Sequence, residues 1–364
     1  MLEKLPLMLA PMATLTHPAF RTLVHEYGGC DGYFSEMISA EAFRSGTPFE
    51  YAYRDPRPDP SRLVYQLVGR SEEPIVEAAQ RLSAQPVAGV DLNMGCAAPQ
   101  IAKRGAGIAW LDDLRAAARL IERVRRAVPQ EKSVSVTFRL PSDADCEKLT
   151  RLARTLERAG ASFLTVHPRF RKQSYSRPAR WSYVSAIAEA VSIPIYGNGD
   201  IADAETAGRR LRESGVAGLM IGRAAAQRPW IFAEMLWRRP ATTESAASRE
   251  SGGPPGGLPG RQPNTAPRPE AGPGMTDKGI DLAAVARRFH QLLEEMQPAE
   301  FHLSRARRFY AYFLKNLPFG YRLAAQVQQI ESDEAIKHRV AGYFAEHPEY
   351  RLIRLSRGME RSHA

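Results

Sequence analysis

Residues 133–166 read SVSVTFRLPSDADCEKLTRLARTLERAGASFLTV and contain the repeating unit of the fold. The runs Ser133–Phe138 and Phe163–Val166 are rich in β-branched and aromatic residues, which favour β-strands. Between them, Asp145–Ala159 carries apolar residues at helical spacing with charged residues on the opposite face. Two buried strands joined by an amphipathic helix predict a parallel β-α-β unit.

The same alternation continues on both sides of this stretch, with amphipathic segments such as Leu114–Ala127 and Trp181–Ala190. Eight such units favour a closed (β/α)8 TIM barrel in the α/β class over an open doubly wound sheet. An open dinucleotide-binding sheet needs a glycine-rich turn after its first strand, whereas this chain has Ala10-Pro11-Met12-Ala13-Thr14 there. The eight predicted strands are Leu7–Ala10, Gly32–Ser35, Leu63–Leu67, Gly89–Leu92, Ser133–Phe138, Phe163–Val166, Ile193–Tyr196 and Gly218–Ile221.

Composition divides the chain into three parts. Residues 1–240 contain the predicted barrel, which we expect to be the catalytic domain. Residues 241–278 are rich in Gly, Pro and Ser and have little to bury, which predicts a disordered linker. Helical periodicity then returns, for example at Leu282, Val285 and Phe289, so residues 279–364 are predicted to form a small helical domain.

Charge and cysteine content limit the possible partners. The net charge of +10 and the isoelectric point of about 9.6 favour polyanions such as RNA. No apolar run approaches the roughly 20 residues of a membrane helix, and the start of the sequence is a poor signal peptide, so no membrane association is expected. The 3 cysteines are widely spaced, which predicts a reducing cytoplasm and neither a disulfide framework nor a metal site.

Polar residues cluster after the predicted strands, where TIM barrels hold their active sites. Gly199 and Gly222 follow the last two strands, and glycine lets backbone N–H groups approach a phosphate closely. Arg223 adds a positive charge at the start of the next helix. This pattern predicts a phosphate site, with two ordinary glycine turns as the alternative. Cys96 and His167, also at strand ends, are either active-site groups or ordinary core residues.

Short motifs occur along the chain in an order that is typical of one family. They are Leu9–Met12, Ala19–Arg21, Ser35–Met37, Tyr65–Leu67, Asp91–Cys96, Gly105–Gly107, Arg139, Val166-His167 with Arg169, Gly197–Ile201, Met220–Ala225, Arg228–Phe232, Arg305–Tyr310 and Tyr312–Lys315. In order and spacing they resemble the tRNA-dihydrouridine synthases, most closely the bacterial B-type branch. The resemblance covers nearly the whole chain except the linker and the extreme C-terminus.

The resemblance implies reduction of the uridine C5–C6 bond to 5,6-dihydrouridine, in tRNA or another structured RNA. NADPH would reduce FMN, FMN would deliver hydride to C6, and Cys96 would protonate C5. The target base would have to leave its stack to reach the barrel mouth. The C-terminal helices would bind RNA, and the family predicts a monomer.

The resemblance also implies the residues of the site. The cofactor-binding residues are expected to be Pro11, Met12, Gln66, Thr137, His167, Asn198, Gly199, Asp200, Gly222 and Arg223. The residues expected to contact the substrate or RNA are Asn93, Arg139, Arg169, Arg305 and Arg308.

Three positions depart from the family pattern. Ala97 follows the cysteine where Pro is usual, and Pro168 replaces the usual Gly after His167. Thr137 stands where a lysine normally lies near flavin N1 and O2, and loss of such a donor typically costs about 100- to 1000-fold in rate. Two alternatives therefore stay open: a degenerate paralogue that binds RNA without catalysis, and a flavin oxidoreductase acting on a small molecule.

Overall fold

The computed structural model describes residues 5–141, 145–237, 272–276 and 278–354. Eight parallel strands form a closed ring, because each pairs with the next and the last pairs with the first. The predicted (β/α)8 barrel is therefore confirmed. The strands are β1 (Leu7–Leu9), β2 (Gly32–Phe34), β3 (Ile38–Ser39), β4 (Leu63–Val68), β5 (Gly89–Met94), β6 (Ser133–Leu140), β7 (Phe163–Phe170), β8 (Ile195–Asn198) and β9 (Gly218–Ile221), of which β3 pairs with β4 beside the ring.

All eight predicted strands are present, and the largest difference is at β7, which ends four residues later than predicted. Its neighbour β6 ends two residues later than predicted. Both extend beyond their predicted ends because they stay paired as far as Leu140 and Phe170, across a register shift after Arg139. This extension carries polar side chains of both strands to the mouth of the barrel.

Helices cover the outside of the barrel. The helix predicted at Leu114–Ala127 has those bounds, and the one predicted from Asp145 begins one residue later because the Asp145 carboxylate caps it, accepting from Lys148 N at 2.8 Å. The barrel helices are α1 (Pro18–Glu26), α2 (Ala40–Ser45), α3 (Glu72–Ser83), α4 (Pro99–Ala102), α5 (Leu114–Ala127), α6 (Cys146–Arg158), α7 (Ser182–Ala190), α8 (Ala204–Ser214), α9 (Arg223–Gln227) and α10 (Ile231–Trp237).

The barrel interior has an apolar layer with a polar layer above it. Successive inward side chains of a strand are two residues apart, so Gln66 lies above Val64 and Thr165 lies above Phe163. Gln66 and Thr165 are fully buried, as is Asp91 between them. The apolar layer is a separate buried cluster of Met8, Ala10, Phe34, Val64, Ala88, Phe163, Tyr196 and Met220.

A C-terminal helical domain follows the barrel, as predicted. Most of the predicted linker, 241–271, lies outside the described residues, but Met275–Thr276 near its end form a strand. Within the described part of the chain, no helix is both long enough and apolar enough to cross a bilayer. The C-terminal elements are β10 (Met275–Thr276), β11 (Gly279–Asp281), α11 (Leu282–Met296), α12 (Ala299–Phe313), α13 (Gly320–Gln329), α14 (Asp333–Glu346) and β12 (Leu352–Ile353).

The C-terminal helices pack on the barrel along a buried surface that we call the seam. The Phe289 and Phe309 rings stack with centroids 3.9 Å apart, and Phe309 also contacts Phe20 of α1. Arg305 of α12 forms an ion pair with Glu36, which follows β2, at 3.2 Å, and both side chains are almost fully buried. The seam therefore fixes α11 and α12 beside the barrel mouth.

Candidate active site at the barrel mouth

A cavity of about 1390 Å³ opens at the carboxyl ends of the barrel strands. The C-terminal helical domain contributes Arg308, Tyr312 and Lys315 to its wall, so the cavity lies between the two parts of the chain. Almost all of the predicted site residues line it. These are Pro11, Met12, Gln66, Asn93, Cys96, Thr137, Arg139, His167, Asn198, Gly199, Asp200, Gly222, Arg223 and Arg308.

Gly199 and Gly222 form a close-fitting wall of this cavity. Gly199 has a φ of +120°, and a Cβ there would lie 3.1 Å from His167 Cδ2 and 3.3 Å from Arg169 Nη1. A Cβ at Gly222 would lie 3.2 Å from Met12 Sδ. Position 199 therefore strongly favours glycine, whereas a side chain at Gly222 would need Met12 to shift slightly. The bare backbone at both positions leaves space where a ligand can approach.

Three guanidinium groups converge above this wall. Arg139, Arg169 and Arg223 lie 4.9, 5.4 and 4.9 Å from the centroid of the Tyr175 ring. Asp200 pairs with Arg169 at 2.6 Å and with Arg223 at 2.9 Å. Partial burial acts to raise the pKa of Asp200, but the hydrogen bond from Arg169 and the nearby charges hold it below its usual value. Three cations around the Tyr175 ring and one carboxylate leave a positive surplus that suits a phosphate.

His167 is neutral and its tautomer is fixed. Burial, followed by the charges of Arg139, Arg169 and Arg223, lowers its pKa to about 3. Arg169 Nη1 lies 3.0 Å from His167 Nε2. Because a guanidinium can only donate, Nε2 accepts and the ring proton lies on Nδ1.

The loop that carries Cys96 is held from two sides. Asn93 Oδ1 accepts hydrogen bonds from Gly95 N at 3.1 Å and from Cys96 N at 2.8 Å. On the other side, Ile108 N donates to the Cys96 carbonyl at 3.1 Å. The Cys96 thiol is free and half-buried, so the loop presents it in the cavity wall.

Thr137 lines the cavity in place of the lysine that the family pattern predicts. Its hydroxyl lies near Asp91 and helps to lower the pKa of that carboxyl, but it falls short of ordinary hydrogen-bond geometry. The next inward residue of β6 is Arg139, which lines the same cavity. A cation on this strand is therefore present, two residues beyond the usual position.

Two of the arginines predicted to contact RNA are buried in the structure. Arg169 is 1% exposed, because its guanidinium binds Asp200 and the Arg177 carbonyl. Arg305 is 2% exposed in the seam, where it pairs with Glu36. Neither side chain faces solvent. Arg308, in contrast, lines the cavity and lies over the Tyr312 ring at 5.2 Å.

Sequence reasoning missed Tyr175, which lies among the three arginines and stacks on His167 with centroids 5.8 Å apart. The available signal was a tyrosine within the basic stretch RKQSYSRPAR, residues 171–180, after the sixth predicted strand. Lys315, which belongs to the quoted motif Tyr312–Lys315 of the helical domain, contacts the Tyr312 ring in the cavity wall.

The fold and site define the class as a TIM-barrel enzyme with an arginine-rich cleft at the carboxyl ends of its strands. A family model described as "Dihydrouridine synthase (Dus)" matches residues 8–251. The chain therefore belongs to the dihydrouridine synthase family of oxidoreductases, as its motifs predict.

Individual relatives agree with this assignment. The chain is 35% identical over 233 residues to a "Probable tRNA-dihydrouridine synthase" of Rhodobacter capsulatus, covering 63% of this chain and 70% of the relative. It is 36% identical over 231 residues to "tRNA-dihydrouridine synthase B" of Pseudomonas aeruginosa, covering 63% of this chain and 68% of the relative. A solved 2-naphthoyl-CoA reductase complex is 12% identical, with a TM-score of 0.49 over 66% of this chain and 53% of that one. The chain spans about half of that reductase, and this likeness adds nothing to the assignment.

Proposed function

We propose that this protein reduces uridine to 5,6-dihydrouridine in tRNA or another structured RNA, with FMN as cofactor and NADPH as reductant. The observation that carries the proposal is one cavity in which the glycine wall, the arginine surplus and the Cys96 thiol come together. Family membership supports the same reaction.

The residues of the cavity fit a flavin mononucleotide. Gly199 and Gly222 leave open backbone where a Cβ would make tight contacts, and Arg223 supplies charge-assisted donors beside them. Gln66 and neutral His167 offer uncharged hydrogen-bonding groups in the same cavity. The FMN phosphate would lie at the glycines beside the arginine charges, and its ring system would lie towards the uncharged Gln66.

The chain's own residues divide the chemistry between them. FMN, when bound and reduced by NADPH, would supply a hydride to C6 of the uracil ring. The Cys96 thiol would donate its proton to C5, so that the C5–C6 double bond gains one hydride and one proton. The Cys96 thiolate would then recover a proton from solvent. His167 holds its proton at Nδ1 and can donate one hydrogen bond without adding a charge.

The surroundings of the cavity suit a nucleic acid. Arg308 and Lys315 of the helical domain and Lys103, Arg171 and Lys172 of the barrel all line it. These cations around a deep mouth would bind the phosphates of an RNA strand while one flipped base enters. The cytoplasmic location and the monomeric state stay predictions.

Mass spectrometry of RNA from strains with and without the gene, beside a visible spectrum of the purified protein, tests the proposal. We expect a yellow protein and the loss of dihydrouridine at defined positions in the deletion strain. Unchanged dihydrouridine in every RNA class, in a strain without a redundant enzyme, would remove the proposed activity.

Replacement of Cys96 by Ala separates the two half-reactions. The variant should still oxidise NADPH through the flavin, because that step needs no proton donor for C5. It should stall on RNA reduction, measured as dihydrouridine formed per flavin. Cys146→Ser, which changes an exposed cysteine of α6, is the matched control and should keep full turnover. Full RNA turnover by Cys96→Ala would show that another group protonates C5.

A degenerate, RNA-binding protein is the second candidate, and Thr137 is the observation that favours it. A hydroxyl at this position cannot neutralise the negative charge that reduction places on a flavin. A colourless protein that cannot be reconstituted with FMN but retards tRNA in a gel would favour this candidate.

A further inference from the structure

A chain of hydrogen bonds links a buried carboxylate in the barrel to the Cys96 loop. The first link is Gln66 Nε2, which donates to Asp91 Oδ2 at 2.8 Å. The second is Asn93 Nδ2, which donates to Gln66 Oε1 at 2.8 Å. The third is Cys96 N, which donates to Asn93 Oδ1 at 2.8 Å. Asp91 therefore connects to the thiol-bearing loop through two side-chain amides.

The two ends of this chain fix the direction of both amides. A backbone N–H can only donate, so Asn93 must point its oxygen at Cys96 and its NH2 group at Gln66. An ionised carboxylate can only accept, so Gln66 must point its NH2 group at Asp91 and its oxygen at Asn93. The two requirements agree, and each amide is held in one orientation from both sides.

Asp91 is fully buried and has no cationic partner among the side chains that face it. These are Gln66 from β4 and Ser135 and Thr137 from β6, all uncharged. Burial raises the pKa of Asp91 to about 6, opposed by the hydrogen bonds from Ser135 and Gln66. At pH 7.5 the carboxyl is therefore mostly ionised and acts as an acceptor. A buried charge held only by donated hydrogen bonds is costly, which indicates a role beyond packing.

We propose that Asp91 is a positioning residue that fixes the orientation of the Gln66 and Asn93 amides and through them holds the backbone of Cys96. Its contribution to proton donation rests on the proposed function, whereas its effect on the loop does not. Without an acceptor at position 91, the Gln66 amide is free to turn. Asn93 then loses its fixed partner, whereas the Ile108 bond on the other side of the Cys96 loop is unaffected.

Hydrogen–deuterium exchange of the Cys96 amide tests the proposal at pH 7.5, without RNA. Asp91→Leu removes the acceptor at similar size, and Gln66→Leu breaks the next link. Each should speed exchange of the Cys96 amide roughly 3- to 10-fold, the effect of one lost net hydrogen bond. The double variant should show no further increase, because both changes break the same chain. Asp91→Asn keeps a carbonyl acceptor for Gln66 and should retain most of the protection.

Ser135→Ala is the matched control. Ser135 Oγ donates to the other oxygen of the same carboxylate, Asp91 Oδ1, at 2.7 Å, on the side away from Gln66. This variant should lower the free energy of unfolding, because it removes a buried hydrogen bond, but it should leave the exchange rate of the Cys96 amide unchanged. If Ser135→Ala speeds the exchange as much as Gln66→Leu, the effect is general loosening of the core and the proposal is wrong.

Equal Cys96 exchange in the wild type, Asp91→Leu and Gln66→Leu would also overturn it. If Asp91→Leu does not fold, Gln66→Leu tests the links from Gln66 to Cys96, and faster Cys96 exchange in Ser135→Ala as large as in Gln66→Leu still overturns the proposal. These measurements do not depend on turnover. Absence of dihydrouridine formation would therefore contradict the proposed function without contradicting the role of Asp91 in holding the Cys96 loop.

Discussion

Arginine side chains form ion pairs with carboxylates both at the barrel mouth and in the seam, but the ratio of arginines to carboxylates differs. In the seam, Arg305 and Glu36 pair one to one, and they are 2% and 3% exposed. At the mouth, Asp200 receives both Arg169 and Arg223, and Arg139 lies over the same tyrosine ring. The seam pair is buried away from solvent (dry) and its two charges balance, whereas the mouth is open and has more positive than negative charge.

This difference separates a structural pair from a binding site. A buried pair must be balanced, because a lone buried charge costs several kcal/mol. A surplus of cations is tolerated only where water or an anionic ligand reaches it, as at Arg223, which is 41% exposed. Arginine content alone therefore does not identify the RNA-facing or cofactor-facing residues of this chain.

The largest expected effect comes from breaking the seam. Glu36→Gln removes the only negative charge of the buried pair and leaves the Arg305 guanidinium uncompensated. We expect a loss of about 3–5 kcal/mol in the free energy of unfolding, measured by urea titration. Adding Arg305→Met removes the unpaired charge and should recover part of the loss.

The pair Arg210–Glu213 on α8, in which the Glu213 side chain is 49% exposed, is the control for this experiment. Because water screens such pairs, Glu213→Gln should change stability by only about 0–1 kcal/mol. Equal losses at the two sites would contradict the contrast between a dry seam and an open surface.

At the mouth, the corresponding change should affect binding and spare stability. Arg223→Gln removes one charge-assisted donor of the proposed phosphate site, worth about 1.5–3 kcal/mol, so flavin affinity should fall roughly 10- to 100-fold. Fluorescence titration of FMN measures this. Arg119→Gln, an exposed arginine of α5, should leave affinity unchanged. If Arg223→Gln lowers the free energy of unfolding by as much as it lowers the free energy of flavin binding, this arginine is structural.

A smaller effect is expected in the pH dependence of stability. Burial lowers the pKa of His167 at the mouth to about 3, and burial lowers the pKa of His17 at the seam as well. Below the ordinary histidine pKa of about 6.5 the unfolded chain binds protons that the folded chain does not, so stability falls as pH falls from about 6.5 towards 3. Each histidine contributes a slope of at most about 1.4 kcal/mol per pH unit.

His167→Asn tests this dependence. The variant should reduce the slope of unfolding free energy between pH 5 and 6 by about one histidine's share, measured by urea titration at several pH values. His338→Asn, which changes an exposed histidine of α14, is the matched control. An unchanged slope in His167→Asn would mean that His167 is protonated in the folded protein.

The local pattern of apolar residues was sufficient to predict the strands and helices of the barrel. The strand predicted at Gly218–Ile221 and the helix predicted at Leu114–Ala127 have the observed bounds, because apolar periodicity is a property of neighbouring residues. The end of β7 could not be predicted in this way. It reaches Phe170 because β6 continues beside it to Leu140, and that pairing joins distant parts of the chain.

The same limit applies to the arginines of the site. Arg223 and Arg308 line the cavity as the motifs predict. Arg169 and Arg305 do not line the cavity, because their guanidinium groups bind Asp200 and Glu36. These partners lie 31 and 269 residues away in the sequence, so neighbouring residues do not indicate the pairing. No local signal distinguishes a buried arginine from one that faces a ligand.

The sequence by itself determined the barrel strands, the C-terminal helices and the motifs of a dihydrouridine synthase, because periodicity and short motifs are written in consecutive residues. The tertiary structure decided which charges are matched and which are in surplus. It also decided that Asp91 reaches the Cys96 loop through Gln66 and Asn93, since this chain of hydrogen bonds crosses between neighbouring strands. Burial and partner choice depend on residues that only the closed barrel brings together.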